Sequence, residues 1–235
     1  MADSRQLRTP PVRLSYAHLI EPRQYKENGK PKGDPTFNTE LILEADALEK
    51  FELLDEEREW TNVPNLAQLL AEVAKDEWGS DLDIEGAVKH GGMKWPIIDG
   101  NAKIRKKEEG GKKASNMDQY RDRKVIRAKS SQKWPPRLHV HQGGEWKKLD
   151  RDNEDDMKEA KKLFTSGNYV VAILNLTPNE VDNRKYLTFY INDLMFYKKG
   201  DSLGGVDSAT IFSGYEGGES NFDPSEGLGD DVIGL

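Results

Sequence analysis

Basic and aromatic side chains alternate through the middle of the chain, between Lys94 and Arg151. These 58 residues include seventeen basic and seven acidic side chains, a net charge of +10. Ammonium and guanidinium groups pair with phosphates, and exposed rings stack on nucleobases without reading their order. The pattern therefore predicts a surface that binds single-stranded nucleic acid. The predicted binding residues are Lys94, Trp95, Lys103, Arg105, Lys106, Lys107, Lys112, Lys113, Tyr120, Arg121, Arg123, Lys124, Arg127, Lys129, Lys133, Trp134 and Arg137.

In the alternative interpretation, the aromatic rings of this region pack in the core, and its basic side chains only keep the protein soluble. Trp95 and Trp134 argue against it, because each stands between a lysine and a proline and is expected at the surface. A net +10 over 58 residues is also more than solubility requires in a chain whose total charge is −7. Core packing is favoured over stacking for most of four further rings on predicted strands, Phe37, Tyr16, Tyr186 and Tyr190.

The end of the chain has the opposite charge. Residues 201–235 carry eight acidic side chains and no basic one, and they have too few apolar residues to fold alone. We expect a folded domain over 1–200 followed by a flexible acidic tail. A coil of this length spans about 30 Å, so the tail can reach the basic surface and compete with nucleic acid. The residues of its end predicted to bind a partner are Asp230, Asp231, Val232, Ile233 and Leu235.

Few residues have the spacing of a catalytic or metal-binding motif. The segment 110–115 lacks the first glycine of a phosphate-binding loop and has Lys113 where a hydroxyl is required. His139 and His141 share one face of a predicted strand, but no carboxylate motif frames the pair. The chain has no cysteine, which excludes thiolate ligands and a cysteine nucleophile. We therefore predict no catalytic residue, no metal ion and no cofactor.

The elements that must position the basic surface are mostly strands. A polar loop is expected at 24–35, and the stretch 103–132 is expected to be charged and flexible. Asn153 is the predicted N-cap of a helix with acids in its first turn. Alternation of apolar residues predicts strands at 12–20, 36–43, 94–99, 138–141, 169–176 and 185–197, and apolar spacing predicts helices at 46–60, 63–78 and 153–164. Thr177-Pro178-Asn179 is expected to break the last two strands apart.

This pattern predicts a mainly β protein with an OB-fold, a five-stranded barrel, and a helical insertion near 46–78. The N-terminal residues are polar, and no stretch of the sequence is long and apolar enough for a membrane span. A soluble intracellular protein is therefore expected.

The sequence resembles the phage-encoded single-stranded DNA-binding proteins of the OB-fold type, the replication proteins of tailed phages. The resemblance covers most of the chain. It is carried by the opening strand that ends at Pro22, TFNTELIL at 36–43 with a helical insertion after it, the basic middle, GNYVVAILNL at 167–176, KYLTFYINDLMFYKKGDSLGG at 185–205, and the acidic C-terminus.

The resemblance implies a non-enzymatic protein that binds single-stranded DNA with little sequence preference in replication or recombination. It also implies a tail that contacts replication proteins such as the polymerase, and a location in the cytoplasm of an infected bacterium. Tails of this class commonly end on an aromatic residue, whereas this chain ends on Leu235. Shielding of the DNA-binding surface, which needs only negative charge, is the tail function less affected by this difference.

Other functions remain open from the residues alone. A nuclease or recombination enzyme would turn over DNA with a metal ion, and a protein-interaction module would use the basic surface to bind an acidic partner. RNA is an alternative ligand, because stacking does not distinguish the sugars. Readout of duplex DNA is disfavoured, because residues 40–86, which contain the two predicted helices 46–60 and 63–78, hold fifteen acids against three bases. The sequence does not fix the oligomeric state, and a homodimer is among the states it allows.

Overall fold

The structure is a computed structural model that describes residues 5–27, 29–111, 114, 117–201 and 203. The strands are β1 Arg5–Arg8, β2 Val12–Glu27, β3 Lys30–Leu43, β4 Phe51–Leu54, β5 Trp60–Val63, β6 Met93–Lys94, β7 Ile97–Asp99, β8 Lys124–Ser131, β9 Arg137–Gln142, β10 Glu145–Lys148, β11 Tyr169–Val181 and β12 Arg184–Lys198. The helices are α1 Leu66–Trp78, α2 Ile84–Lys89, α3 Gly100–Glu109 and α4 Glu154–Leu163, with short 3₁₀ turns at Ala47–Glu49 and Asp118–Tyr120.

The prediction of a mainly β protein is confirmed, but the sheet is larger than expected. Within the described residues it contains twelve strands instead of five. Its main path runs β10-β9-β12-β8-β3-β2-β11-β1-β4-β5, and β6 and β7 attach to β12 and β8. The additional strands are short hairpins and edge segments, which give weak signals in a sequence.

Five strands of the sheet pair in a circuit. β2 pairs with β3, β3 with β8, β8 with β12, β12 with β11, and β11 with β2. The β8–β12 pair is parallel and the other four pairs are antiparallel. Helix α4 precedes β11 in the chain and packs against β2.

The core lies inside this circuit. Each of the five strands contributes a large side chain with no solvent exposure, and these are Leu14, Leu41, Ile126, Leu174 and Phe189. Along β11 every second side chain is buried, which is the period of a strand with one face in the core. The opposite faces of β3, β8 and β12 are thereby left to solvent.

The last hairpin and the helix before it agree with the sequence. The Asn153 side chain accepts hydrogen bonds from the backbone N–H groups of Asp155 and Asp156, so it caps α4 as predicted. β11 and β12 form the predicted hairpin. The strands are longer than expected, however, because the pairing continues through Thr177-Pro178-Asn179 to a turn at Asp182 and Asn183.

The prediction of a helix over 46–60 was wrong. These residues form a 3₁₀ turn and then β4 and β5, which pair with each other. Leu53 pairs with Leu7 of β1, and Phe51 is fully buried. Pairing with the sheet edge thus overrides the local helical spacing. The second predicted helix is confirmed as α1, with Asn65 as its N-cap.

Two segments expected to be irregular are regular. Residues 24–27 and 30–35 extend β2 and β3 into a two-stranded arm, in which Tyr25 pairs with Lys32. The stretch 103–132 contains most of α3 and all of β8. No helix in the described part of the chain is long and apolar enough to cross a membrane.

Candidate nucleic-acid interface

A groove with a volume of about 430 Å³ runs over the outer faces of β3, β8 and β12. Its cationic lining residues are Lys94, Arg127 and Lys129, and the segment around β6 and β7 closes one side with Trp95. The remaining lining residues are Tyr16, Tyr25, Thr36, Asn38, Thr39, Glu40, Pro96, Ile98, Ala128, Tyr186, Leu187 and Thr188.

Strand register places the cations of β8 in this groove. Arg127 and Lys129 are exposed, whereas Ala128 between them is buried, because successive side chains of a strand point to opposite faces. Arg127 pairs across the sheet with Glu40 of β3, and Lys129 pairs with Asn38. The groove floor therefore alternates cations with hydrogen-bonding side chains.

β12 supplies rings to the same face. Tyr186 pairs with Lys94 of β6, and Tyr190 pairs with Lys129 of β8. The Lys129 ammonium lies 5.8 Å from the centroid of the Tyr190 ring, which is within range of a cation–π interaction. Positive charge and aromatic surface are thus adjacent, as base stacking beside a phosphate requires.

Tyr16 stands where this groove meets two others. Its side chain is 53% exposed, and its φ of 47° lies in the left-handed region that bulky residues rarely adopt. The β2–β3 register shifts between Ser15 and His18, so Tyr16 occupies a β-bulge. Bulges turn side chains out of the regular alternation and are frequent beside functional sites.

The two adjoining grooves extend the surface in different directions. One of about 710 Å³ follows the β2–β3 arm and is lined by Arg23, Tyr25 and Lys26 among others. The second, of about 360 Å³, lies against α3 and is lined by Lys103, Lys106 and Lys107. Tyr16 lines all three concavities, so they form one continuous surface around its ring.

A buried carboxylate organises the floor beneath Tyr16. Glu40 is 8% exposed and forms an ion pair with Lys103, accepts a hydrogen bond from the Tyr120 hydroxyl at 2.8 Å, and pairs with Arg127 at 3.2 Å. Burial opposes ionisation, but Lys103, Tyr120 and Arg127 together hold the pKa of Glu40 below its ordinary value. Glu40 thus stays ionised and fixes the positions of two cations.

Lys94 lies close to other positively charged side chains. Its pKa is lowered first by burial and then by repulsion from Arg127, Lys129 and Lys106. Three neighbouring cations that each disfavour its charged form make a site with strongly positive potential. Phosphate groups, which spread negative charge along a strand, have the charge that would relieve this repulsion.

Most of the predicted cations fall into three groups in the structure, which are those of the main groove, those of the groove beside α3 and those in ion pairs. Lys94, Arg127 and Lys129 line the main groove, and Lys103, Lys106 and Lys107 line the groove beside α3. Arg105 is exposed on α3. Four others form ion pairs, which are Arg121 with Asp118 at 3.2 Å, Arg123 with Glu44 at 2.9 Å, Lys124 with Asp99 at 2.8 Å and Arg137 with Asp193 at 2.6 Å.

Two predicted rings lie at the surface in different settings. Trp134 is 72% exposed in the turn that follows β8, and the Lys133 ammonium lies 5.6 Å from its ring centroid. Trp95 is partly buried, packs against the core and lines the main groove. Lys112 and Lys113 lie outside the described residues, as do Asp230, Asp231, Val232, Ile233 and Leu235.

The structure contradicts the prediction that Tyr120 contacts nucleic acid. Its side chain has no solvent exposure, and its hydroxyl is hydrogen-bonded to Ser15 at 2.6 Å and to Glu40 at 2.8 Å. Burial also raises its pKa, so the hydroxyl stays protonated. The ring therefore cannot stack on a base, and its contribution is to hold Glu40 in place.

Several groove residues were not predicted from the sequence. Tyr25 is 65% exposed, and with Thr36, Asn38 and Thr188 it lines the main groove. Of the four further stacking candidates, for most of which the sequence favours core packing, Tyr16 and Tyr186 also line the groove, whereas Phe37 is buried. The alternation of TFNTELIL could have indicated that Thr36 and Asn38 share a face opposite Phe37.

The two histidines of β9, His139 and His141, contact a carboxylate and an aromatic ring. His139 Nε2 lies 2.8 Å from a carboxylate oxygen of Asp193, and the His141 ring packs edge-on against Trp146 at 5.1 Å between centroids. The described residues contain no cluster of three or more histidine or acidic side chains that could hold a metal ion.

Comparison with known proteins gives a consistent result. The model of a family described as "Enterobacter phage Enc34, ssDNA-binding protein" matches residues 5–222. The chain is similar to the solved structure of the single-stranded DNA-binding protein from bacteriophage Enc34 in complex with ssDNA, with a TM-score of 0.55, 16% identity, and coverage of 85% of this chain and 89% of that chain. A C-terminal truncation of the phage Enc34 protein gives a TM-score of 0.53, 15% identity and coverage of 85% and 88%. No curated protein matches the sequence.

Proposed function

Because the chain belongs to the Enterobacter phage Enc34 ssDNA-binding protein family, we propose that it binds single-stranded DNA without sequence preference. In this proposal it protects the strand during phage replication and recombination and catalyses no reaction. The observation that carries the proposal is the main groove, where Lys94, Arg127 and Lys129 stand beside the rings of Tyr16 and Tyr186.

We further infer that the strand circuit is an OB-fold. Five strands that pair in the order β2-β3-β8-β12-β11 and return to β2 support this inference, as does the helix α4 before β11. OB-folds bind oligonucleotides on a strand face and on the loops beside it. The groove over β3 and β8, with the β2–β3 arm next to it, occupies the corresponding place.

The cations and the rings of the groove would contact different parts of the DNA strand. Lys94, Arg127 and Lys129 would contact phosphates, which gives affinity that falls with salt. The rings would stack on bases at about 1–3 kcal/mol each, and every base offers such a face. Asn38 and Thr188 can hydrogen-bond any base edge that turns toward them, so nothing here demands one sequence.

The test is binding of a labelled oligothymidine and of a duplex, measured by fluorescence anisotropy over a range of salt. Three phosphate contacts on a single strand, one each for Lys94, Arg127 and Lys129, predict a slope of log affinity against log salt of about −2, from roughly 0.7 per phosphate. Lys129→Ala should weaken binding and reduce the steepness by about 0.7. Lys75→Ala is the matched control, because Lys75 is exposed on α1, which packs against β11.

The outcomes separate the proposal from its competitors. Equal binding by the Lys129 and Lys75 variants would place the nucleic-acid site elsewhere. Preference for duplex over single strand would contradict the proposal outright. Cleavage of the labelled strand with Mg²⁺ would indicate a nuclease, and equal affinity for oligouridine would extend the ligand class to RNA.

We also propose that the acidic tail competes with DNA for the groove. The proposal rests on charge, because seven acidic residues and no basic one follow Leu203. The chain should be shortened after Leu203, since Arg13 donates to the Asp201 carbonyl at 2.7 Å and Leu203 packs beside Ile42 and Tyr120. The shortened chain should bind oligothymidine more tightly at low salt, and unchanged or weaker binding would refute shielding.

The partner and the location are proposed from the family alone. The protein would act in the cytoplasm of the infected host, and the tail end around Asp230, Asp231 and Leu235 would recruit the replicative polymerase. Calorimetry of the full chain and of the chain ending at Leu203 against that polymerase tests the recruitment. Equal heats of binding would remove the tail from the contact.

A further inference from the structure

A separate concavity, which Tyr16 does not line, lies farther along β12, toward its C-terminal end. It has a volume of about 270 Å³ and draws on six strands. Ile173 and Met195 form an apolar part of its lining. The other lining residues are Arg8, Trp60, His139, Trp146 and Asp193.

Two tryptophans line this concavity from the two ends of the sheet path. Trp60 is on β5 and Trp146 is on β10, which are the terminal strands of that path. Trp146 is 55% exposed. The Arg8 guanidinium lies 4.8 Å from the Trp60 ring centroid, within range of a cation–π interaction, and its Nε donates to Glu52 at 2.5 Å. Flat rings and guanidinium planes are the surfaces on which unpaired bases stack.

The concavity continues the row of side chains that begins in the main groove. Tyr186 and Thr188 line the groove, and Tyr190 follows them on the same face of β12. The β11–β12 register then shifts between the pairs Leu174–Ile191 and Ile173–Asp193, which is a β-bulge. The extra residue reverses the alternation, so Asp193 and Met195 join the outward row.

This row connects the two sites over a short distance with no unpaired acid in its path. Thr188 and Met195 are separated by about 23 Å along the strand, at roughly 3.3 Å per residue. Asp193, the acid of the row, is 15% exposed and pairs with Arg137 at 2.6 Å and with His139 at 2.8 Å. Lys129 beside Tyr190 supplies positive charge along the way, and Arg137 offsets the charge of Asp193.

We propose that the Trp60–Trp146 concavity is a second stacking site for single-stranded DNA, filled by bases of the strand that leaves the main groove along β12. The inference rests on the proposed function. Phosphates would pass Lys129 and Arg137, and one or more bases would stack on Trp146 and on the Arg8–Trp60 pair. The site would lengthen the footprint of each protein molecule on the strand.

The experiment measures affinity against length, with oligothymidines from about 4 to 16 nucleotides, the range of site sizes known for OB-folds. Wild-type affinity should rise with length until both sites are filled. In Trp146→Ala and Trp60→Ala the rise should stop at a shorter length, and the longest strand should bind roughly 5- to 150-fold more weakly. Trp146→Phe keeps a ring and should restore most of the lost affinity.

A groove variant distinguishes the two proposals. Tyr186→Ala should weaken binding of every length, including the shortest strand that binds, whereas Trp146→Ala should leave that short strand unaffected. If Trp146→Ala and Trp60→Ala bound strands of all lengths as tightly as the wild type, the proposal of a second site would be overturned and that of the groove would stand. Equal loss at all lengths would also overturn the second site, because a remote second site cannot act on a strand too short to reach it. No effect of Tyr186→Ala would refute the groove itself.

Discussion

The backbone of Tyr16 offers a test that separates the role of its ring from the cost of its conformation. Tyr16 has a φ of 47° and an exposed ring at the meeting point of three grooves. Strained residues of this kind persist where the surrounding structure holds them, and they cluster at binding sites. We therefore consider two replacements, Tyr16→Gly and Tyr16→Ala, which both remove the ring.

The two variants differ only in how they tolerate the left-handed backbone. That conformation costs a non-glycine residue about 1–2 kcal/mol, and glycine loses about 0.5–1 kcal/mol in extra chain entropy on folding. Tyr16→Gly should therefore be more stable than Tyr16→Ala by roughly 1 kcal/mol, or about 2–4 °C in Tm. In an ordinary strand the order is the reverse, because glycine is the less stable of the two.

The DNA affinities of the two variants should be nearly equal. Each loses the ring and its cation–π interaction with Lys103, whose ammonium lies 5.0 Å from the ring centroid. A stacking platform worth about 1–3 kcal/mol predicts a loss of roughly 5- to 150-fold in both. Tyr16→Phe keeps the ring and should retain most of the affinity.

The assay combines thermal unfolding with anisotropy on oligothymidine, and Tyr186 is the matched control. Tyr186 lines the same groove but is paired regularly with Asn179 across the hairpin. Tyr186→Ala should be more stable than Tyr186→Gly, while both bind DNA weakly. If alanine were also the more stable replacement at Tyr16, the bulge would not be strained. Wild-type affinity in both Tyr16 variants would show that the ring does not stack.

The remaining predictions concern the buried cluster below the groove. Glu40→Gln should destabilise the fold by about 3–5 kcal/mol in denaturant unfolding, because Lys103 loses its buried partner. The pKa of Glu40 is lowered in the folded protein, so its contribution is complete above its ordinary value of 4.5 and is lost as pH falls below that value. Tm should thus fall less steeply with acid in Glu40→Gln than in wild type. Tyr120→Phe should lose about 1–3 kcal/mol of stability with its bonds to Ser15 and Glu40, yet bind DNA normally.

The elements that the sequence revealed are those whose signals are local. Every second residue of β11 is buried and apolar, and Asn153 caps α4 with its own side chain. β8 gave no such signal, because its buried face carries Ala128 and Ser130 beyond the apolar pair Val125 and Ile126. Ser130 is satisfied by donating to the Ile191 carbonyl at 2.5 Å, a partner that only the folded sheet provides.

The charge of the site could be predicted, but the use of each cation could not. Arg123 and Lys124 are close in sequence to Arg127, yet they pair with Glu44 and Asp99 while Arg127 reaches the groove. These partners are set by the β3–β8 and β7–β8 registers. The exposure of Tyr16 likewise depends on a bulge in β2 that leaves no mark in the residue pattern.

Repulsion among the cations of the free groove favours the binding of an anionic ligand. Burial and then repulsion from Arg127, Lys129 and Lys106 lower the pKa of Lys94. A phosphate placed among these cations would favour the charged form of Lys94 and raise that pKa. Glu40 cannot perform this task for Lys94, because its oxygens are already occupied by Lys103, Tyr120 and Arg127. Among the described residues that line the main groove, Glu40 is the acid, and it pairs with Lys103 and Arg127 but not with Lys94. A single strand, with one phosphate per nucleotide, would supply a counter-ion to Lys94.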